Sequence, residues 1–187
     1  MSNKDVIEYY NNTALVNRLF WSDEKTLACH LGFYDRDYIT HAQALLRLNS
    51  NICDSAKISK NDHVLDAGCG LGGTSIWLAK KVECSVVGID LHPRRIATAR
   101  KSAMSTNLSD RVAFTVGSYE HLPFPDNHFN AVLAVETLCH CNNKGKFFAE
   151  AARVLRPGGR LVVNDFIQSR SPNTPDEVKI LDQWLDG

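Results

Sequence analysis

Residues His63 to Leu91 read HVLDAGCGLGGTSIWLAKKVECSVVGIDL, and this stretch decides the fold. His63 to Ala67 reads as a short apolar strand that carries one acid, Asp66. Gly68, Gly70, Gly72 and Gly73 follow, then an apolar helix with Ile76, Leu78, Ala79 and Val82. A second strand, Ser85 to Ile89, ends in Asp90. Strand, glycine turn, helix, strand and acid make a nucleotide-binding unit. Glycine is needed where the backbone must turn sharply and let a ligand come close. The amides that open the following helix are expected to face that ligand.

The glycines fit two templates. Gly68-x-Gly70-x-x-Gly73 is the dinucleotide fingerprint, and Gly68-x-Gly70-x-Gly72 preceded by Asp66 is the pattern of S-adenosylmethionine (SAM) enzymes. Charge separates them. A dinucleotide places an anionic pyrophosphate on the turn, where Asp66 would repel it. SAM has no phosphate but carries an ammonium and a sulfonium, and both suit nearby acids. Asp90, twenty positions after Gly70, is placed to reach ribose hydroxyls in either case.

The chain has 187 residues, with 21 basic and 21 acidic side chains. That is enough for one domain with a real core. The charges balance and no basic stripe appears, which disfavours nucleic acid as a partner. Cys29, Cys53, Cys69, Cys84, Cys139 and Cys141 form no C-x-x-C pair and read as reduced thiols of a cytoplasmic protein. Cys139-His140-Cys141 has no second cluster to complete a tetrahedral zinc site, so no metal is expected. The N-terminus has acids and no apolar core of a secretory signal, and no apolar run reaches membrane-spanning length.

Residues 1–56 read as an N-terminal helical segment, a cap on the domain edge or a lid over the ligand. Val6 and Tyr10, then Leu15, Leu19 and Phe20, have helical spacing, with a break expected at Asn11-Asn12-Thr13. Thr40 to Ser55 is a helix with His41, Leu45, Leu48 and Ile52 on one stripe. Residues 57–187 form the ligand-binding domain. His92-Pro93 starts a helix with Ile96, Ala99 and Ala103 inward. Arg94, Arg95, Arg100 and Lys101 form its solvated face, although position 95 lies close to the ligand.

Arg111 to Val116 is the third strand, followed by Gly117-Ser118. Leu122 to Asp126 is a stiff loop. Phe129 to Val135 is a fourth, almost wholly apolar strand ending at Glu136. Lys144 to Leu155 is a helix with Phe148, Ala151 and Leu155 on one side, ended by Arg156-Pro157-Gly158-Gly159. Arg160 to Val163 is the fifth strand, running into Asp165, and Asp176 to Leu185 is a last helix. Helices between strands imply an α/β fold with a parallel sheet and right-handed crossovers. Asp66, Asp90, Ser118, Glu136 and Asp165 then gather at the carboxyl ends of the strands, where such sheets bind ligands.

Val64-Leu65-Asp66-Ala67-Gly68-Cys69-Gly70, Val87-Gly88-Ile89-Asp90, Leu122-Pro123-Phe124 and Leu155-Arg156-Pro157-Gly158-Gly159 together resemble class I SAM-dependent methyltransferases over roughly residues 60 to 167. Tyr9-Tyr10-Asn11, residues 30–35 and Glu136-Thr137-Leu138-Cys139-His140 are similar to the small-molecule branch with tocopherol, sterol and terpenoid methyltransferases. The resemblance implies a Rossmann-like sheet with helices on both faces and SAM as cofactor. Asp66 and the turn Gly68, Cys69, Gly70 and Gly72 would hold its methionine part. Asp90 would bind the ribose, with Leu91 on the adenine. Ser118 and Tyr119 would border the adenine, Glu136 would lie beside the methionine, and Tyr10 would cover the cofactor.

Two departures stand out. Ser118 replaces the acid that many relatives have there. Two further strands usual in the family do not follow the fifth. A truncated product, a homo-oligomer or a partner that completes the sheet edge is the expectation.

The implied reaction is methyl transfer to a small-molecule acceptor by direct displacement. His140, four residues beyond the fourth strand, is the candidate base. Asp165 would orient it or act as base itself. Two other functions compete: a SAM-binding module without turnover, and an NAD-dependent oxidoreductase, which Asp66 disfavours.

Overall fold

The computed structural model describes residues 2–13, 26–36, 40–167 and 170–186. Helix α1 spans Asn3–Asn12. Its start is fixed by a reciprocal cap in which the Ser2 hydroxyl accepts from the Asp5 amide and the Asp5 carboxylate accepts from the Ser2 amide. The helix runs through Asn11 and Asn12 and stops at Thr13, whose amide donates to the Tyr9 carbonyl. Leu15, Leu19, Phe20 and Trp21, expected in the same region, lie outside the described residues. Helix α2 (His41–Ser55) carries a second capping box, Thr40 with Gln43, and buries Leu45, Leu48 and Ile52. His41 sits at its rim, where it pairs with the Tyr34 hydroxyl at 2.7 Å.

The remaining elements alternate as the sequence implies: β1 (His63–Ala67), α3 (Gly73–Lys81), β2 (Ser85–Asp90), α4 (Pro93–Ser105), β3 (Val112–Val116), β4 (Phe129–Val135), α5 (Lys144–Val154), β5 (Leu155–Asn164) and α6 (Pro175–Asp186). The five strands are all parallel in the order β3-β2-β1-β4-β5. The order reverses between β1 and β4, so the ligand crevice is expected at the carboxyl ends of those two strands.

Successive side chains of a strand point to opposite faces, and both faces here are apolar. Val64, Val86, Phe114, Ala131 and Leu133 pack with Leu48 and Ile52 of α2, Ile76 and Leu78 of α3, and Ile96 and Ala99 of α4. Leu65, Ala67, Ile89, Val132 and Ala134 pack on the other side with Phe147, Ala151 and Val154 of α5. Helices therefore cover both faces.

Two local expectations need correction. The inward side of α5 is Phe147, Ala151 and Val154, all fully buried, whereas Phe148 is 46% exposed. Two adjacent phenylalanines left the helical phase open by one residue, and the second face of the sheet chose Phe147. Arg156 to Gly159 also does not separate α5 from β5. The strand already pairs at Leu155 with Phe129, then bulges so that Arg160 pairs with Ala131. The Leu122–Asp126 loop is held from α5, where Arg153 donates to the carbonyls of Leu122 and Phe124 and to the Asp126 carboxylate. Among the described residues, no helix is long and apolar enough to cross a membrane.

Phe147→Ala is expected to cost about 3–5 kcal/mol of stability, and Phe148→Ala less than about 1 kcal/mol. Urea unfolding of the two variants checks the phase of α5. Equal losses would contradict it.

Candidate functional site

The glycine turn is tied to the end of β2 by its own amides. Gly68 and Cys69 both donate to the Ile89 carbonyl, at 2.8 and 3.1 Å. The Gly70 amide donates to one Asp90 carboxylate oxygen at 2.9 Å, and the His92 amide to the other at 2.8 Å. The Gly72 amide closes the turn on the Cys69 carbonyl. These four amides belong to the turn before α3; the amides that open the helix itself, from Gly73 on, are a separate set. An anion-binding cradle needs unspent N–H groups, and Gly68, Cys69, Gly70 and Gly72 have spent theirs on the protein.

Gly68 has φ of +81°. A methyl there would overlap the Thr137 hydroxyl, so the turn and the segment after β4 touch across the crevice floor. Gly72 (φ +84°) caps α3 and packs against the Phe114 ring and Ala99. It faces the core and does not line the cleft. Cys69 lines the cleft, but its side chain is 9% exposed and belongs to the core.

Asp66 is 2% exposed, and its carboxylate accepts from the Ser75 hydroxyl of α3. Burial pushes its pKa up to about 6, against the pull of that hydrogen bond and with the help of the Asp90 charge. Asp66, Asp90 and Glu136 all line one cleft with Gly68, Gly70, Leu91, Tyr119 and His140. Tyr10 closes it from α1. Ser118 is not part of that wall; its hydroxyl accepts from the Glu120 amide, within its own turn. Tyr119 is buried and donates its hydroxyl to the Thr137 carbonyl.

Glu136 sits just past β4 with φ of +47°, a left-handed backbone that costs a residue with a side chain about 1–3 kcal/mol. The Leu31 amide donates to both of its carboxylate oxygens at 3.0 Å. Burial raises its pKa to about 7, against that donor and with the help of Asp165. Glu136 also lines a second cavity of about 180 Å³ with Leu31, Phe33, Leu48, Asp165 and Phe166.

His140 lies in a short 3-10 turn, Leu138–His140. Its ring is 5.5 Å from that of Tyr9 and 5.3 Å from that of Tyr10. Burial lowers its pKa, outweighing the nearby Asp165. Asp165 does not reach the His140 ring by any hydrogen bond. One of its oxygens accepts from the amides of Leu138 (2.6 Å) and Cys139 (3.2 Å), and the other from Phe166. Its carboxylate holds the turn that carries His140.

Three features go beyond the sequence reading, which places position 95 close to the ligand but counts its side chain with a solvated face. Arg95, assigned with Arg94 to a solvated face, turns into the cleft and stands 4.3 Å over the Tyr10 ring. Arg100, assigned to the same face, donates both Nε and Nη2 to the Phe114 carbonyl. His30 is 6% exposed beside the cleft, near Asn49 and Thr74, whose side chains hydrogen-bond at 3.0 Å. For Arg95 the available signal was its place in the first turn after Asp90.

The family model for a methyltransferase domain matches residues 65–163. The chain is 36% identical over 199 residues to the norajmaline N-methyltransferase of Rauvolfia serpentina, covering 97% of this chain and 66% of that protein. It is 32% identical over 172 residues to the chloroplastic tocopherol O-methyltransferase of Arabidopsis thaliana, covering 86% and 48%. Among solved structures, the (4+2)-cyclase SpnF matches with a TM-score of 0.80 and 28% identity, over 87% of this chain and 60% of that one. The chain spans about half the length of the curated relatives it matches. The matched residues run from β1 to β5 and build the cleft, and on that ground the chain belongs to the class I SAM-dependent methyltransferase family.

Proposed function

We propose that this protein transfers a methyl group from SAM to a small-molecule acceptor by direct displacement. One observation carries the reading. The turn's amides are spent internally while three carboxylates, Asp66, Asp90 and Glu136, face the cleft. That donor set fits a phosphate-free cation and repels a pyrophosphate. SAM, when bound, supplies a methyl group already activated by the sulfonium. This chain's residues supply placement. Asp90 keeps lone pairs for the ribose hydroxyls, and Asp66 and Glu136 face the cationic methionine end. Leu91 and Tyr119 offer apolar surface to the adenine, and Tyr10 roofs the cleft.

Alignment of nucleophile and methyl group contributes about 7–11 kcal/mol to lowering the barrier. His140 is the base where the acceptor atom carries a proton. Its lowered pKa keeps the ring neutral near pH 7, ready to accept one. Asp165 acts through the backbone as a positioning residue for His140. The acceptor enters from the second cavity, which meets the cleft at Glu136 and offers the exposed rings of Phe33 and Phe166. The named relatives methylate nitrogen in one case and oxygen in another, and the atom methylated here follows from the acceptor. We place the protein in the cytoplasm on its reduced cysteines.

A second reading keeps the cofactor and drops the transfer. The likeness to a (4+2)-cyclase favours it, since this fold is then compatible with another reaction. Calorimetry with SAM and with NADH, beside a turnover assay on an acceptor panel, separates the readings. The methyltransferase reading expects SAM binding, no NADH binding and methylated product.

The cleft acids give a pH dependence of known sign. Asp66 and Glu136 each hold a proton more tightly in the fold than in an unfolded chain. The stability this adds is full below about pH 4 and is lost as pH rises through about 6 for Asp66 and about 7 for Glu136. A cationic ligand favours the ionised forms, so SAM affinity should rise between about pH 5.5 and 7.5 with proton release. S-adenosylhomocysteine, which lacks the sulfonium, should show a shallower slope. A flat SAM profile would remove the carboxylates from the binding account.

His140→Ala is expected to lower kcat about 10²–10⁴-fold while SAM affinity stays within about threefold. An unchanged rate would remove the base role.

A further inference from the structure

Arg95 occupies the third position of α4, after Pro93 and Arg94. A cation in the first turn of a helix opposes the helix dipole, so something other than helix stability holds it there. Three groups surround it. Its guanidinium lies 4.3 Å from the centre of the Tyr10 ring. Its Nη2 packs against Gly70, where a methyl group would come within 2.7 Å of it. The Asp90 carboxylate faces it and is already bonded to the Gly70 and His92 amides. A second link between α1 and this corner lies next to it, where Asn11 Oδ1 pairs with His92 Nε2 at 3.1 Å. These two contacts of α1 land on neighbours of Asp90, Arg95 through charge and His92 through its amide bond, while Tyr9 and Tyr10 also pack on His140.

We propose that Arg95 is a positioning residue that couples the docking of α1 to Asp90, so that cofactor bound at Asp90 and helix α1 hold each other in place. The inference rests on the SAM assignment above. It deepens that assignment by naming the joint between ligand site and roof. Arg suits the joint because a planar guanidinium stacks on an aromatic ring while its permanent charge is attracted by the Asp90 carboxylate. Coupling of this kind is reciprocal: whatever the cofactor gains from a docked α1, α1 gains from the cofactor.

The test uses the full chain and S-adenosylhomocysteine as probe. Calorimetry on Arg95→Met, Tyr10→Leu and the double variant should show about tenfold weaker binding for each single change. The double variant should again lose about tenfold, because both changes break one joint. Hydrogen exchange supplies a readout that a merely structural role would not move. S-adenosylhomocysteine should slow exchange of the α1 amides in the unaltered chain and not in Arg95→Met, with part of the effect kept by Arg95→Lys. If Arg95→Met does not fold, Arg95→Lys and Tyr10→Leu give the same comparison. Single variants within twofold of the parent, or a double variant losing the product of the two effects, would overturn the coupling alone. Absence of binding by the unaltered chain would overturn the cofactor assignment together with it.

Discussion

The bond from the Gly70 amide to the Asp90 carboxylate, with the two amides that reach the Ile89 carbonyl, makes the glycine turn and the end of β2 a single unit. Everything at the site is measured from that unit. It fixes where Asp90 points, and it removes the free donors that an anion would need. It also leaves a shallow surface at Gly70 on which a guanidinium rests. Pairing of β1 with both β2 and β4 then carries the unit into the middle of the sheet, where Asp66 stands opposite Gly88 on one side and Leu133 on the other.

The electrostatics follow from burial more than from pairing. Asp66 and Glu136 are drawn toward neutrality by burial, Asp66 against a hydrogen bond from Ser75 and Glu136 against one from the Leu31 amide. Carboxyls in that condition bind a cation well, since the ligand's charge restores what solvent would have supplied. Asp165 shows the opposite case. Three backbone amides satisfy it, and it serves geometry by holding the turn below His140. Two acids near the same histidine thus do different work, and only their hydrogen bonds tell them apart.

The strand–turn–helix–strand core was legible because its period and its glycines answer to backbone sterics, which sequence states directly. Asp66 and Asp90 were legible for the same reason: strand ends are visible, and so is their charge. The phase of α5 was not, because Phe147 and Phe148 are chemically identical and only the opposing sheet face distinguishes them. For Arg95 the place was legible and the side chain was not: position 95 was expected close to the ligand, but its partner is a tyrosine more than eighty positions earlier in the chain. Ser118 was placed at the ligand by its strand end, but a local bond to Glu120 turned its hydroxyl back into its own loop. Contacts between residues far apart in sequence decided the first two; a bond two residues long decided the third.

The touch between Gly68 and Thr137 has a consequence for traffic through the protein. It brings the two halves of the sheet so close beneath the crevice that no side chain fits between them. Gly73 is likewise pressed by the backbone at Leu27 and Ala28, which cross above it. The crevice is therefore bounded below by Gly68 and Thr137 and beside the start of α3 by Leu27 and Ala28, so any occupant must fit between these two close approaches.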